Sequence, residues 1–133
     1  LPEVKEKDAP EYVVVKKVKG FGTGYFGPQR RDYPNRKEYQ RAIELNGKGE
    51  ETKSGTRPRI GTIAADTRFY PLGTIIFIPE INLMATVEDV GSKVKGKKHI
   101  DVFCGHGKKA QLIANTWGNG TPITLIVMRK KVA

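Results

Sequence analysis

Nucleophiles and bases are scarce in this sequence. Cys104 is the single cysteine, so no internal disulfide can form. That fits the cytosol, and equally an exported bacterial protein that needs no covalent staple. Ser54 and Ser92 are the only serines, and neither lies in a nucleophile-elbow pattern. With His99 and His106 as the only histidines, a serine hydrolase is disfavoured. A Cys104–His pair is a weak rival, because a thiol buried in a strand is usually inert. No apolar run approaches the roughly 20 residues of a membrane span, so no integral membrane segment is expected. Carboxylates also thin out: after Glu51 five acidic residues stand against thirteen Lys and Arg.

What is present fits one domain with one core, since the chain has 133 residues. Fifteen glycines and eight prolines between short apolar runs favour a β-rich fold with many turns. The net charge of +10 favours a polyanionic partner: nucleic acid, anionic lipid or an anionic wall. The bland alternative is a solvated basic face. Few aromatics lie among the basic clusters, so stacking platforms for bases are not evident and no nucleic-acid partner is expected. The chain opens at Leu1 without methionine and shows no signal-peptide pattern. We read it as a processed or trimmed form whose export segment lies outside it.

Along the chain, Leu1 to Glu11 mixes charges and prolines and reads as a tether or disordered lead. Tyr12–Val18 is a β-branched run and a first strand. A boundary is drawn here: residues 1–19 are tether and first strand, and residues 20–133 are the main domain. Asn35 to Asn46 is a helix, with Asn35 as its cap, Glu38 completing a capping box and Gly47 as terminator. Lys48 to Arg59 is a polar loop. Strands are expected at Ile60–Ala65, Thr74–Ile78, Leu83–Glu88, Ile100–Cys104 and Ile123–Met128. A short helix is expected at Lys108–Thr116, closed by Gly118. Five or six short strands with one or two small helices imply a mainly β fold, a small barrel.

Three motifs fail on inspection. Gly91 to Lys97 has the spacing of a phosphate loop, but Lys98 stands where Ser or Thr must hold magnesium, and a strand follows in place of a helix. Gly22 to Gly27 matches a dinucleotide fingerprint on paper, yet Pro28 and a polar stretch follow. A glycine-rich turn beside a strand is the simpler reading. Cys104, His106 and His99 could be metal ligands, but on a strand Asp101 and Cys104 point to opposite faces, and no metal site is expected.

The carboxylates survive. Asp66, Asp89 and Asp101 each lie in or beside a short apolar run, where a charge must be exposed, paired or functional. Asp66 and Asp89 could equally brace turns. Asp101, between Ile100 and Val102, has no turn residue beside it. Lys93, Lys95, Lys97 and Lys98 are near enough in sequence to pair with it or to bind an anionic substrate.

The order of these aspartates, with their neighbours, resembles the three-aspartate (3D) domain of bacterial cell-wall enzymes. This group includes the catalytic barrel of membrane-bound lytic transglycosylase A and small secreted or spore-associated muralytic proteins. The matching pieces are Ala65-Asp66-Thr67-Arg68, Tyr70-Pro71-Leu72-Gly73-Thr74, Glu88-Asp89-Val90-Gly91, Val94-Lys95-Gly96 and His99-Ile100-Asp101-Val102-Phe103. Gly22-Thr23-Gly24-Tyr25 is similar to the family's opening strand. The resemblance covers roughly residues 20–131, and the ordered set carries it, since no single tetrapeptide is specific. It implies a six-stranded double-psi β-barrel that cleaves the β-1,4 bond between N-acetylmuramic acid and N-acetylglucosamine, giving 1,6-anhydro products without a cofactor. It further implies Asp101 as acid/base, Asp89 and Asp66 as supporting carboxylates, and Tyr25, Thr74 and Lys95 as glycan contacts. The implied partner is the peptidoglycan glycan strand, and the implied location is secreted or cell-envelope. The alternative is a non-catalytic glycan-binding barrel. Two departures stand out: the Asp89–Asp101 loop is one residue longer than usual around Lys97-Lys98, and Ser92-Lys93 replaces small residues. The long insert Arg30–Arg59 reads as a lid or groove wall.

Overall fold

The computed structural model describes residues 11–131. Apart from Glu11, the expected tether lies outside the described residues. The strands are β1 (Tyr12–Gly27), β2 (Thr62–Ala64), β3 (Ile75–Ile78), β4 (Leu83–Asp89), β5 (His99–His106) and β6 (Thr121–Lys130). Two helices, α1 (Arg36–Asn46) and α2 (Gly107–Thr116), interrupt them. The strands close into a barrel in the order β1-β5-β2-β4-β3-β6. The pairs β1/β5 and β2/β4 are parallel and the other four are antiparallel. This is the expected six-stranded double-psi barrel with two short helices. No described helix is long and apolar enough to cross a membrane.

Each expected strand and helix is present, with ends displaced by a few residues except at the far end of β1. Asn35 caps α1 by accepting from the Glu38 amide at 2.9 Å. Gly47 closes the helix at φ 78°, a conformation that costs glycine little. The largest correction concerns Gly20 to Gly27. It is not a turn beside a strand but the second half of β1, one strand of 16 residues that also runs unbroken across position 20. The glycines serve packing. A Cβ on Gly22 would sit 2.6 Å from Trp117 Cζ3, and one on Gly24 would sit 2.6 Å from Trp117 Cδ1 and 2.8 Å from the Ala114 backbone. Bare backbone lets Trp117, just past α2, pack close against the strand.

Strand alternation then sorts β5. Ile100 and Val102 point into the main core with Ile63, Ile76, Val87 and Leu125. Asp101 and Phe103 point the other way. Phe103 packs with Tyr25, Ala64 and Val94 in a small second cluster. Cys104 enters a third with Phe26, Ala110 and Ala114 under α2. The sheet thus turns Asp101 out of the core and onto an apolar floor.

Gly24→Ala is expected to lower unfolding stability by about 1–3 kcal/mol through overpacking against Trp117 and the α2 backbone. Chemical denaturation measures this, and an unchanged midpoint with an unchanged slope would refute the packing account.

Candidate active site

A cavity of about 280 Å³ opens over the β5 floor, and Tyr25, Asp89 and Asp101 line it together. Glu44 to Gly47 at the end of α1 and Glu51 in the following loop form its opposite side. The insert is therefore a wall of this cavity. Four carboxyl-bearing residues, Glu44, Glu51, Asp89 and Asp101, face it in a chain of net charge +10.

Asp101 stands on β5 directly across from Thr23 on β1 and Ala64 on β2. The Thr23 hydroxyl is 2.9 Å from Asp101 Oδ1. Burial pushes the Asp101 pKa up from 3.8 to about 6, the negative charge of Asp89 pushes the same way, and the Thr23 contact opposes them. A carboxyl at that value populates both protonation states near neutrality, which an acid/base group requires. Nearby lysines do not cancel the effect. Lys93, Lys95, Lys97 and Lys98 are exposed, and Lys97 Nζ lies over the Phe69 ring at 5.5 Å.

Asp89 ends β4 and accepts from the Val90 amide at 2.9 Å, the Lys53 amide at 3.2 Å and the Tyr25 hydroxyl at 3.4 Å. The Lys53 contact depends on a neighbour that sequence reading passed over. Glu88 is buried, 7% exposed, and accepts from Thr62 Oγ1 at 2.7 Å and Thr56 Oγ1 at 3.0 Å. Thr52, Ser54 and Thr56 join through their hydroxyls, and the Ser54 amide donates to the Glu88 carbonyl. Glu88 thus ties the loop to β4 so that its backbone reaches Asp89. Burial forces the Tyr25 phenol well above its ordinary pKa, with Asp89 and Asp101 adding to the effect, so it acts as a donor.

Asp66 does different work. It does not line the cavity. It accepts from Arg68 Nη2 at 2.7 Å, Arg68 Nε at 3.0 Å and the Gly96 amide at 2.9 Å. The Arg68 pair first, and the Gly96 amide next, hold its carboxyl well below the ordinary carboxylate range. Asp66 therefore anchors the loop between β4 and β5 from below. The Tyr70 hydroxyl donates to the Lys97 carbonyl, and the Phe21 amide donates to the Lys98 carbonyl at 2.8 Å. These contacts start β5 in register.

The other expected contacts fall outside the cavity. Lys95 is exposed on that loop. Thr74 donates to the Pro71 carbonyl at 2.6 Å and lines a separate depression with Gly73, Thr86 and Met128. A larger groove of about 520 Å³ beside α2 is mostly apolar and contains neither Asp89 nor Asp101. Burial raises the Cys104 thiol in that region to about 11, so it is protonated at neutral pH and packs as a small apolar group. Among the described residues, no three of His, Cys, Asp and Glu gather as metal ligands would. Thr23 and His99 are the site residues that sequence reading left without a role. The only pointer to Thr23 was its place between two glycines ahead of Tyr25.

The family model of the 3D domain matches residues 61–127, from the start of β2 into β6. The chain belongs to the 3D domain family. The match holds all three aspartates and omits β1 and α1. A search of curated protein sequences finds no match. Among solved structures, this 3D domain is similar to MltA from Escherichia coli, described as a unique lytic transglycosylase fold. That likeness has TM-score 0.55 and 17% identity over 74% of this chain and 36% of that one. It is also similar to Escherichia coli MltA with bound chitohexaose, at TM-score 0.54 and 16% identity over 74% and 36%. The chain spans about a third of the length of these structures, and at such identity the likeness is one of fold.

Asp66→Asn should loosen the loop at Gly96 and remove one source of acid sensitivity. Because the folded pKa of Asp66 is lowered, its stabilisation is present above the ordinary carboxylate range and is lost as pH falls toward the folded value. Thermal melts from pH 6 downward should show a smaller loss below about pH 4 in the variant than in the wild type. Parallel curves would remove Asp66 from the loop's anchorage.

Proposed function

We propose that this protein is a lytic transglycosylase of the cell envelope, acting on peptidoglycan at the β-1,4 bond between N-acetylmuramic acid and N-acetylglucosamine. The observation that carries this reading is one carboxyl, Asp101, raised to about 6 at the base of a carboxylate-lined cavity. Membership of the 3D family and the fold shared with MltA support it.

In this reading protonated Asp101 gives its proton to the glycosidic oxygen as the bond to C1 breaks. The resulting carboxylate takes the proton of the muramyl C6 hydroxyl as that oxygen bonds to C1. The product is a 1,6-anhydro sugar, the acid returns to its starting state and no water is consumed. One carboxyl thus serves in turn as acid and base, where ordinary glycosidases divide the work between two. Asp89 raises the Asp101 pKa by its charge, and Tyr25 holds Asp89 in place. Asp66 supports the site through its loop. Thr74 and Lys95 contribute only where the glycan extends beyond the cavity. No cofactor enters these steps.

Mass spectrometry of purified peptidoglycan digested by the wild type and by Asp101→Asn tests the reading. Anhydromuropeptides are expected from the wild type, with the variant slower by about 10²–10⁴-fold. The wild-type rate should fall as pH rises through about 6, because the first step needs the protonated carboxyl. Reducing-end products would change the reaction to hydrolysis. No products from either protein, with wall binding retained, would make this barrel a glycan-binding module.

A further inference from the structure

Thr23 has one hydroxyl proton and two partners, Asp101 Oδ1 at 2.9 Å and His99 Nε2 at 2.8 Å. One proton can serve only one of these contacts, so the other must be donated by the partner. While the imidazole is neutral, the hydroxyl can make both contacts either by donating to Oδ1 or by accepting from it. If the hydroxyl points to the carboxylate, Nε2 carries a hydrogen and donates to Oγ1. If it points to Nε2, Asp101 carries its proton on Oδ1 and donates to Oγ1. The two arrangements differ by whether Asp101 carries a proton on Oδ1.

The backbone keeps the three groups together. Parallel pairing of β1 and β5 sets Phe21 against His99 and Thr23 against Asp101. The His99 ring is stacked on Phe21, with centroids 4.6 Å apart and planes at 19°. The strand pairing and the ring stack set both groups beside Asp101. Tyr25 on β1 and Asp89 on β4 act electrostatically with the Asp101 carboxyl, and Glu44 of α1 and Glu51 line the same cavity. The Lys93 backbone faces the imidazole and favours a proton on it, while burial, the larger effect, lowers the His99 pKa and keeps the ring neutral near pH 7.

We propose that Asp101, Thr23 and His99 form a hydrogen-bond relay in which the Thr23 hydroxyl reverses as Asp101 loses its proton, making His99 a positioning residue for the acid/base. This rests on the reading of Asp101 as the acid/base group. On ionisation the carboxyl proton goes to the glycosidic oxygen or to water. The hydroxyl turns from Nε2 to Oδ1, and the imidazole moves its single N–H to Nε2 by exchange with solvent. The ring gains no net proton. The carboxylate is thus met by a donor as soon as it forms, and the protonated acid is met by an acceptor.

The test is NMR of the full chain, following the His99 ring nitrogens and the Asp101 carboxyl carbon across pH. In the wild type the two neutral His99 tautomers should exchange with the same midpoint as the Asp101 carboxyl. In Thr23→Val, close in shape but without the hydroxyl, His99 should stop responding and the Asp101 midpoint should rise. A single His99 tautomer throughout the Asp101 titration would overturn the relay, as would an unchanged Asp101 midpoint in Thr23→Val. Kinetics on peptidoglycan give a second reading. His99→Phe, which keeps the ring stack, should lower kcat roughly 10–100-fold with KM little changed. His99→Gln, whose amide can donate or accept, should recover most of that loss. Equal rates for the two variants would count against the relay. Coupled midpoints in a wild type that cleaves no glycan would keep the relay and discard the transglycosylase reading. Cleavage without coupled midpoints would do the reverse.

Discussion

Thr23 stands opposite Asp101 because β1 and β5 run parallel in one register, and the site depends on that pairing. A shift of one residue would turn Asp101 into the core and Ile100 out to the cavity. Several contacts hold the register. The Phe21 amide bonds to the Lys98 carbonyl just before β5, the Tyr70 hydroxyl takes the Lys97 carbonyl, and the Asp66 carboxylate takes the Gly96 amide. Two glycines in β1 let Trp117 cover the strand from the α2 side. A segment that looks loose in composition is thus among the most constrained in the molecule.

The three aspartates divide their work by environment. Asp66 has an arginine and a backbone amide, so it stays ionised and structural. Asp89 sits in a ring of donors at the end of β4. Asp101 has one hydroxyl and an apolar floor, and burial outweighs that contact and raises its pKa. Equal side chains acquire unequal chemistry because the number of donors and the degree of desolvation differ at each position. Glu88 shows the same rule, since its burial is matched by hydroxyl donors that serve a loop.

Net charge proves a poor guide to the site. The chain carries +10, yet the cavity is lined by Glu44, Glu51, Asp89 and Asp101. The basic residues expected nearest to Asp101 are exposed on their loop. Charge describes how the whole molecule meets a polyanion at a distance. The cavity chemistry is set by the few groups within hydrogen-bond reach.

Short apolar and β-branched runs between turn residues were enough to place six strands and two helices, because buried strands draw on such residues and the capping residues of α1 bond only to near neighbours. The ordered aspartates likewise point to the family from sequence alone. The tertiary structure decided what lies far apart in sequence. It extended β1 through its glycines, because only the folded chain shows the Trp117 ring that excludes a Cβ there. It separated Asp66 from the cavity and left Lys95 and Thr74 outside it. It joined Thr23 to His99 and Asp101, residues 76 and 78 positions away. Hydrogen bonds, desolvation and like-charge repulsion act through distances in space, and only closure of the barrel fixes those distances.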